Sequence, residues 1–159
     1  KNTHPDKNLY FTEQWVGAPG NLYGDLRWHI RNLIIGATRN WCKTIIEWNL
    51  ASDENQKPHT EGGCSSCLGA VTITGNSVQR NTAYYVIAHA SKFVPPGSVR
   101  LHSSSSSTLP NVSFLTPEEK IVTIVLNDSS NKINFNIILD GKDIHSSLNA
   151  GAIGTFVLN

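Results

Sequence analysis

The chain has 159 residues, enough for one domain or for a piece of something larger. Thirteen Lys and Arg stand against twelve Asp and Glu without a basic cluster, which argues against nucleic acid or a membrane surface as the main partner. No apolar run approaches the ~20 residues of a membrane span, no secretory signal pattern opens the chain, and the lack of any methionine leads us to expect a processed chain or a piece of a longer one.

Residues 1–8, KNTHPDKN, are polar with a proline and read as a loop. LYFTEQ (9–14) reads as a buried strand with Glu13 at its carboxyl end. Burying an ionised carboxylate without partners costs several kcal/mol, so Glu13 belongs either at a solvated strand end or in a site that uses it. VGAPGNLYG (16–24) holds three Gly and a Pro and is a loop. From Asp25, a candidate N-cap, apolar residues recur at Leu26, Ile30, Leu33, Ile34, Ala37 and Trp41, the stripe of an amphipathic helix. KTIIEWNL (43–50) is β-branched and apolar, a second buried strand. Strand, helix, strand is a βαβ unit, and strands this apolar belong to a parallel sheet covered by helices. Working groups in such sheets stand at the carboxyl ends of the strands. Glu13 and Trp15 then share a rim with Glu47, Trp48 and Asn49.

Residues 51–69 form a polar loop longer than a connector needs. TAYYVIAHASKF (82–93) reads as a helix stopped by Pro95-Pro96-Gly97. Short strands follow at 98–104, 112–116, 120–127, 132–140 and 155–159, separated by Ser-, Asn-, Asp- and Gly-rich turns, the pattern of an antiparallel sandwich. Ile133, Phe135, Ile137 and Leu139 alternate onto one face. The serine run 103–107 reads as a flexible turn. Two sequons, at Asn111 and Asn127, are compatible with secretion. The fold class is therefore α/β followed by all-β. Two parallel strands and one helix cannot bury their own faces, so further strands are expected from residues outside this chain.

YFTEQWVG, WHIRNLIIGATRNW, IIEWNL, the GGC-containing loop and YYVIAHASKFVPPGSVR together resemble the C-terminal part of glycoside hydrolase family 30, which includes glucosylceramidases and β-1,6-glucanases. The resemblance covers essentially the whole chain. It implies the last βαβ part of a (β/α)8 TIM barrel, with 9–14 as strand seven and 43–49 as strand eight, over residues 1–69. A β-sandwich would occupy 70–159. It further implies that Glu13 is the nucleophile of a retaining β-glycosidase and that Trp48 lines the sugar pocket, with Trp15 and Asn49 as weaker substrate-binding candidates. The family's acid/base is a Glu in an Asn-Glu pair on strand four, and no such pair occurs here. The missing N-terminal part of the barrel, covalent or as a companion chain, is thus an expected partner. The substrate is expected to be a β-glucoside or β-glucan, with no cofactor and no metal, in an exported protein (periplasmic, extracellular or lysosomal).

Side chains alternate along a strand, so Glu47 and Trp48 cannot both face the barrel mouth, and Glu47 is expected to pair with a basic group in the next layer. Trp28 and Trp41 are assigned to packing, and Cys42 to a free thiol in the core. For Cys64-Ser-Ser-Cys67, zinc wants four ligands and a thioredoxin-type motif wants a helix start, so a structural disulfide is expected. His89 reads as a packing residue. The competing reading, a non-catalytic carbohydrate-binding or scaffold module, leaves residues 1–50 without a purpose.

Overall fold

The computed structural model describes residues 3–104 and 106–159. Lys1 and Asn2 of the expected first loop, and Ser105 of the serine run, lie outside the described residues. Two compact units divide between Lys92 and Phe93. Residues 70–92, grouped from the sequence with the sandwich, lie in the first unit, where hydrogen bonds tie them to the strand ends that precede them.

In the first unit β1 (Leu9–Gly17) leads to α1 (Leu22–His29), a π-helical stretch (Ile30–Ala37) and β2 (Cys42–Trp48), which pairs parallel with β1. The helix starts earlier than Asp25. Asn21 is the N-cap, its Oδ1 accepting from Gly24 N at 3.0 Å while Asp25 Oδ2 accepts from Asn21 N at 2.6 Å. Asp25 thus serves the cap from inside the first turn, satisfying a second donor of the helix entry. The expected stripe is buried at Ile30, Leu33 and Ile34, and Ile35 joins it. A π-helical turn carries more residues than an α-turn, which widens the buried face. Gly36 fits this path: a Cβ there would lie 2.9 Å from the Arg31 carbonyl oxygen.

β3 (Ala51–Ser52), β4 (Cys67–Leu68), β5 (Val71–Thr74), β6 (Ser77–Arg80) and α2 (Thr82–Ser91) complete the unit. β5 pairs parallel with β3 and antiparallel with β6 through a two-residue turn whose first residue, Gly75, has φ +57. That conformation at the first central position is what a type II′ hairpin requires. A small core joins Val16, Leu68 and Ala83, with Ala18 and Ala70 packed against it.

Within this chain β1 and β2 are only partly covered, since the further strands expected to flank them are not among its residues. Val16 is the fully buried member of β1, whereas Tyr10 is 57% and Ile46 51% exposed. Helical cover lies on one face, where the π-helical stretch meets β2. The opposite face is open among the described residues.

In the second unit β7 (Val99–Leu101), β8 (Asn111–Leu115), β9 (Ile121–Leu126) and β12 (Ile153–Leu158) form an antiparallel sheet in the order β12-β9-β8-β7. β10 (Ile133–Leu139) and β11 (Lys142–Leu148) pair beside it. The central β9 is almost wholly buried, and each fully buried Val, Ile or Leu contributes about 1.5–3 kcal/mol. The alternation in β10 is as expected, with Ile133, Phe135, Ile137 and Leu139 turned inward and Ile138 exposed. Phe135 meets Phe156 edge to face at 5.7 Å, joining the hairpin to the sheet. β11 lies outside the strands expected from the sequence. Asp140 and Gly141, both at positive φ, form the two-residue turn that creates it.

Asn127, fully buried at the end of β9, ties these layers together. Its Nδ2 donates to the carbonyls of Asn131, Leu148 and Asn149 at 2.7, 2.9 and 3.0 Å, and its Oδ1 accepts from Ser129 N and Oγ.

Candidate functional site on the β1–β2 pair

Glu13 lies in the middle of β1 rather than at its tip, because the strand runs on to Gly17. Within the parallel ladder it is nonetheless near the end. The pairs run Phe11 with Ile45, then Gln14 with Glu47 and Trp15 with Trp48. Three steps along β1 thus match two along β2, so one extra residue is accommodated at Thr12–Glu13. A bulge bends its strand and re-aims the side chains on it. Both Thr12 and Glu13 are exposed.

Beyond the bulge the alternation resumes. Gln14 and Glu47, opposite one another, are drawn inward, while Trp15 and Trp48 are 43% and 44% exposed. Paired residues of a parallel ladder share a face, so the two indoles stand on the open face of the pair. Glu13, two residues before Trp15, shares that exposure. An anionic oxygen and two broad apolar rings on one face suit a ring-shaped, hydroxyl-bearing ligand, which stacks C–H groups on indole and offers an electrophilic carbon to a carboxylate.

Glu47 turns the other way. Its Oε1 lies 2.7 Å from His29 Nδ1, and the two side chains are 3% and 6% exposed. Oε2 is buried and has no hydrogen-bond partner among the described residues. The sequence predicts a basic partner for Glu47 but gives no means of choosing His29, since strand and helix meet only in the folded chain. The faint signal is that His29 adjoins Ile30 of the buried stripe.

Asn49 follows Trp48 across a cis peptide bond. Its side chain is turned into the chain, with Oδ1 only 2.8 Å from where a Cβ on Gly69 would stand. That oxygen is buried and also lacks a hydrogen-bond partner among the described residues. Gly69 is thus a residue of the site that sequence reasoning missed: a side chain there would meet Asn49, Ser52 and Val71 at under 3.0 Å. Asn81 Nδ2 donates to the Gly69 carbonyl at 2.9 Å and holds it in place.

The long loop returns to the same end of β1. Val16 and Gly17 pair antiparallel with Leu68 and Cys67, and Ala18 N donates to Ser66 O at 2.8 Å. Cys67 is joined to Cys64 by a disulfide, with Cα atoms 5.6 Å apart. Cys42 is free but only partly buried, at the first position of β2, so it is not a core thiol. Trp28 and Trp41 also differ from expectation, being 47% and 56% exposed. Trp28 packs edge-on to the His29 ring at 5.1 Å, and Trp41 occupies the turn into β2 at φ +70. Burial lowers the pKa of His89 below its ordinary 6.5. Among the described residues no group of three His, Cys, Asp or Glu could hold a metal ion, and no helix is long and apolar enough to cross a membrane.

Residues 97–156 match the glycosyl hydrolase family 30 beta sandwich domain. An endo-1,6-β-D-glucanase (neg1) of Aspergillus fumigatus is 31% identical over 99% of this chain and 33% of its own length. The lysosomal acid glucosylceramidase of Mus musculus is 32% identical over 68% of this chain and 20% of its own length. Among solved structures the endo-β-1,6-glucanase BT3312 superposes with a TM-score of 0.85 at 27% identity, covering 99% of this chain and 37% of that one. This chain therefore spans between 20% and 37% of the length of these relatives. It is a homologue of glycoside hydrolase family 30 proteins, and its residues 97–156 are that family's β-sandwich domain.

Proposed function

We propose that the chain is the part of a retaining β-glycosidase that carries the nucleophile. In this reading β1, α1 and β2 are strand, helix and strand of a (β/α)8 barrel. Glu13 attacks the anomeric carbon, and Trp48 and Trp15 form an aromatic floor for the sugar. Asn49, its Oδ1 buried beside Gly69, supports the end of β2 behind the pocket rather than contacting the sugar. The acid/base carboxyl comes from barrel strands that this chain does not contain. Retaining hydrolysis needs the two carboxyls about 5–5.5 Å apart, so a strand outside this chain must bring the second one to Glu13.

The observation that carries the proposal is the exposed carboxylate on a bulge, two residues before an indole that pairs with a second indole. The bulge re-aims Glu13 at the end of the ladder, which a bare packing role does not explain. The substrate class follows the names of the relatives. Two curated relatives aligned over 99% of the chain are endo-1,6-β-glucanases, so β-1,6-glucan is the first substrate to offer and glucosylceramide the second. Export follows from the same reading, and a lysosomal relative is consistent with it.

A slow fluorinated β-glucoside tests the assignment on the full-length protein. It is expected to label the peptide containing YFTEQW, and Glu13→Gln is expected to abolish the label. Labelling at another carboxylate would falsify the role of Glu13. Full-length protein that binds β-glucan but never turns it over would favour the non-catalytic module.

A further inference from the structure

We infer that His29 and Glu47 act as a pair of positioning residues that fix Trp48 and Glu13 relative to one another. The inference rests on the proposed role of Glu13 and adds to it a device in the layer behind the site.

Glu47 occupies a decisive place in the ladder. It stands opposite Gln14, the first paired position after the irregularity at Thr12–Glu13. A bulge leaves the register around it locally weak, because the extra residue makes no ladder contact of its own. A slip of one residue would turn every following side chain to the other face. Trp48 would then leave the face of Trp15 and Glu13. The side chain that re-engages the ladder is itself anchored from behind: Glu47 Oε1 is 2.7 Å from His29 Nδ1, with both groups almost fully buried. His29 is the last residue of α1, held in turn by the buried Ile30 and the stripe beyond it.

A hydrophobic residue at position 47 would also resist a slip, which would expose it, but it would leave no polar group without a partner behind it. A slip of one residue would carry Glu47 to the open face and leave the buried His29 Nδ1 without the partner it now has at 2.7 Å. The pair therefore adds to the register preference that apolar packing supplies. Glu47 also adjoins Trp48 in the chain. Fixing one side chain on the helix side fixes the other on the open side, because successive side chains alternate.

The test uses the full-length protein and the fluorinated β-glucoside, with rates expressed per folded molecule. Asparagine can place an amide N–H near the position of Nδ1, whereas glutamine reaches towards that of Nε2. His29→Asn is expected to keep the labelling rate of Glu13 close to wild type, and His29→Gln to slow it by roughly tenfold or more, the scale expected when reacting groups are displaced. The double change His29→Leu with Glu47→Leu removes the buried charge together with its donor, a replacement that stability generally tolerates. It is expected to stay folded while slowing labelling like His29→Gln. Labelling at the wild-type rate in both His29→Gln and the double variant would overturn the inference and leave the role of Glu13 standing. Wild-type protein labelled elsewhere than at Glu13 would instead overturn the proposed function on which the inference rests.

Discussion

Trp15 and Trp48 stand opposite each other at the last paired position of the β1–β2 ladder, and neither is buried. The pairing sets the two indoles side by side on one face of the ladder. In the full-length protein Trp48→Ala is expected to lower kcat/KM on a β-glucoside by at least about tenfold. A side chain that floors a sugar pocket keeps one face free of packing, so the loss of stability should stay within about 1–2 kcal/mol. Thermal melts beside kinetics decide between roles. A large fall in stability with unchanged activity per folded molecule would make Trp48 a packing residue.

The Cys64–Cys67 disulfide closes a very short loop, and Cys67 pairs through its backbone with Gly17. Intact mass before and after reduction should differ by two hydrogens. The chain-entropy contribution of so small a ring is at most about 2 kcal/mol, so reduction should lower the denaturation midpoint only modestly. Full alkylation of both thiols without reductant would show that the bond is absent in solution.

Asn127 has its side-chain donors directed at three carbonyl oxygens inside the second unit. Asn127→Asp replaces those donors with a carboxylate facing the same acceptors, and is expected to destabilise by about 3 kcal/mol or more. Asn127→Ala leaves the acceptors unsatisfied without adding charge and should cost less, roughly 2 kcal/mol. Urea unfolding of the full-length variants measures both. Equal and small effects would mean that water replaces the amide freely.

His89 is held below its ordinary pKa of 6.5 by burial. The unfolded chain then binds its proton at higher pH than the folded one. The stabilising contribution is complete above the unfolded value and declines as pH falls from about 6.5 towards the folded value. Denaturation midpoints measured from about pH 7.5 to about pH 5 should fall, and His89→Gln should flatten that slope. A slope unchanged by the substitution would assign the dependence to other groups.

Much of this arrangement is legible in the residues themselves. The stripe from Leu26 to Ala37 gives the helix, and the alternation from Ile133 to Leu139 gives β10, because both periods are set by backbone geometry alone. What escapes is set by partners. Asn21 caps the helix because Asp25 reaches back to it, so an acid in the first turn passes for the cap itself. The inward-facing apolar residues of β1 and β2 suggest burial, yet burial depends on what lies against them. The Asp140-Gly141 pair, by contrast, was readable: two such residues after an alternating run mark a two-residue hairpin, and with it β11. The pairing of Glu47 with His29 spans 18 residues, and no local pattern specifies it.

The amide nitrogen of Asn127 has a second consequence, for the way the protein can be made. Asn127-Asp128-Ser129 is an acceptor sequence for N-linked glycans, and oligosaccharide transfer would replace one of the two hydrogens that this nitrogen donates. A residue with no accessible surface also has no exit for a glycan core. Attachment and closure of the hairpin over β9 are therefore mutually exclusive. In a secretory pathway that decorates nascent chains, the speed with which this unit closes would set the yield of native protein, and a host lacking that transferase would escape the competition altogether.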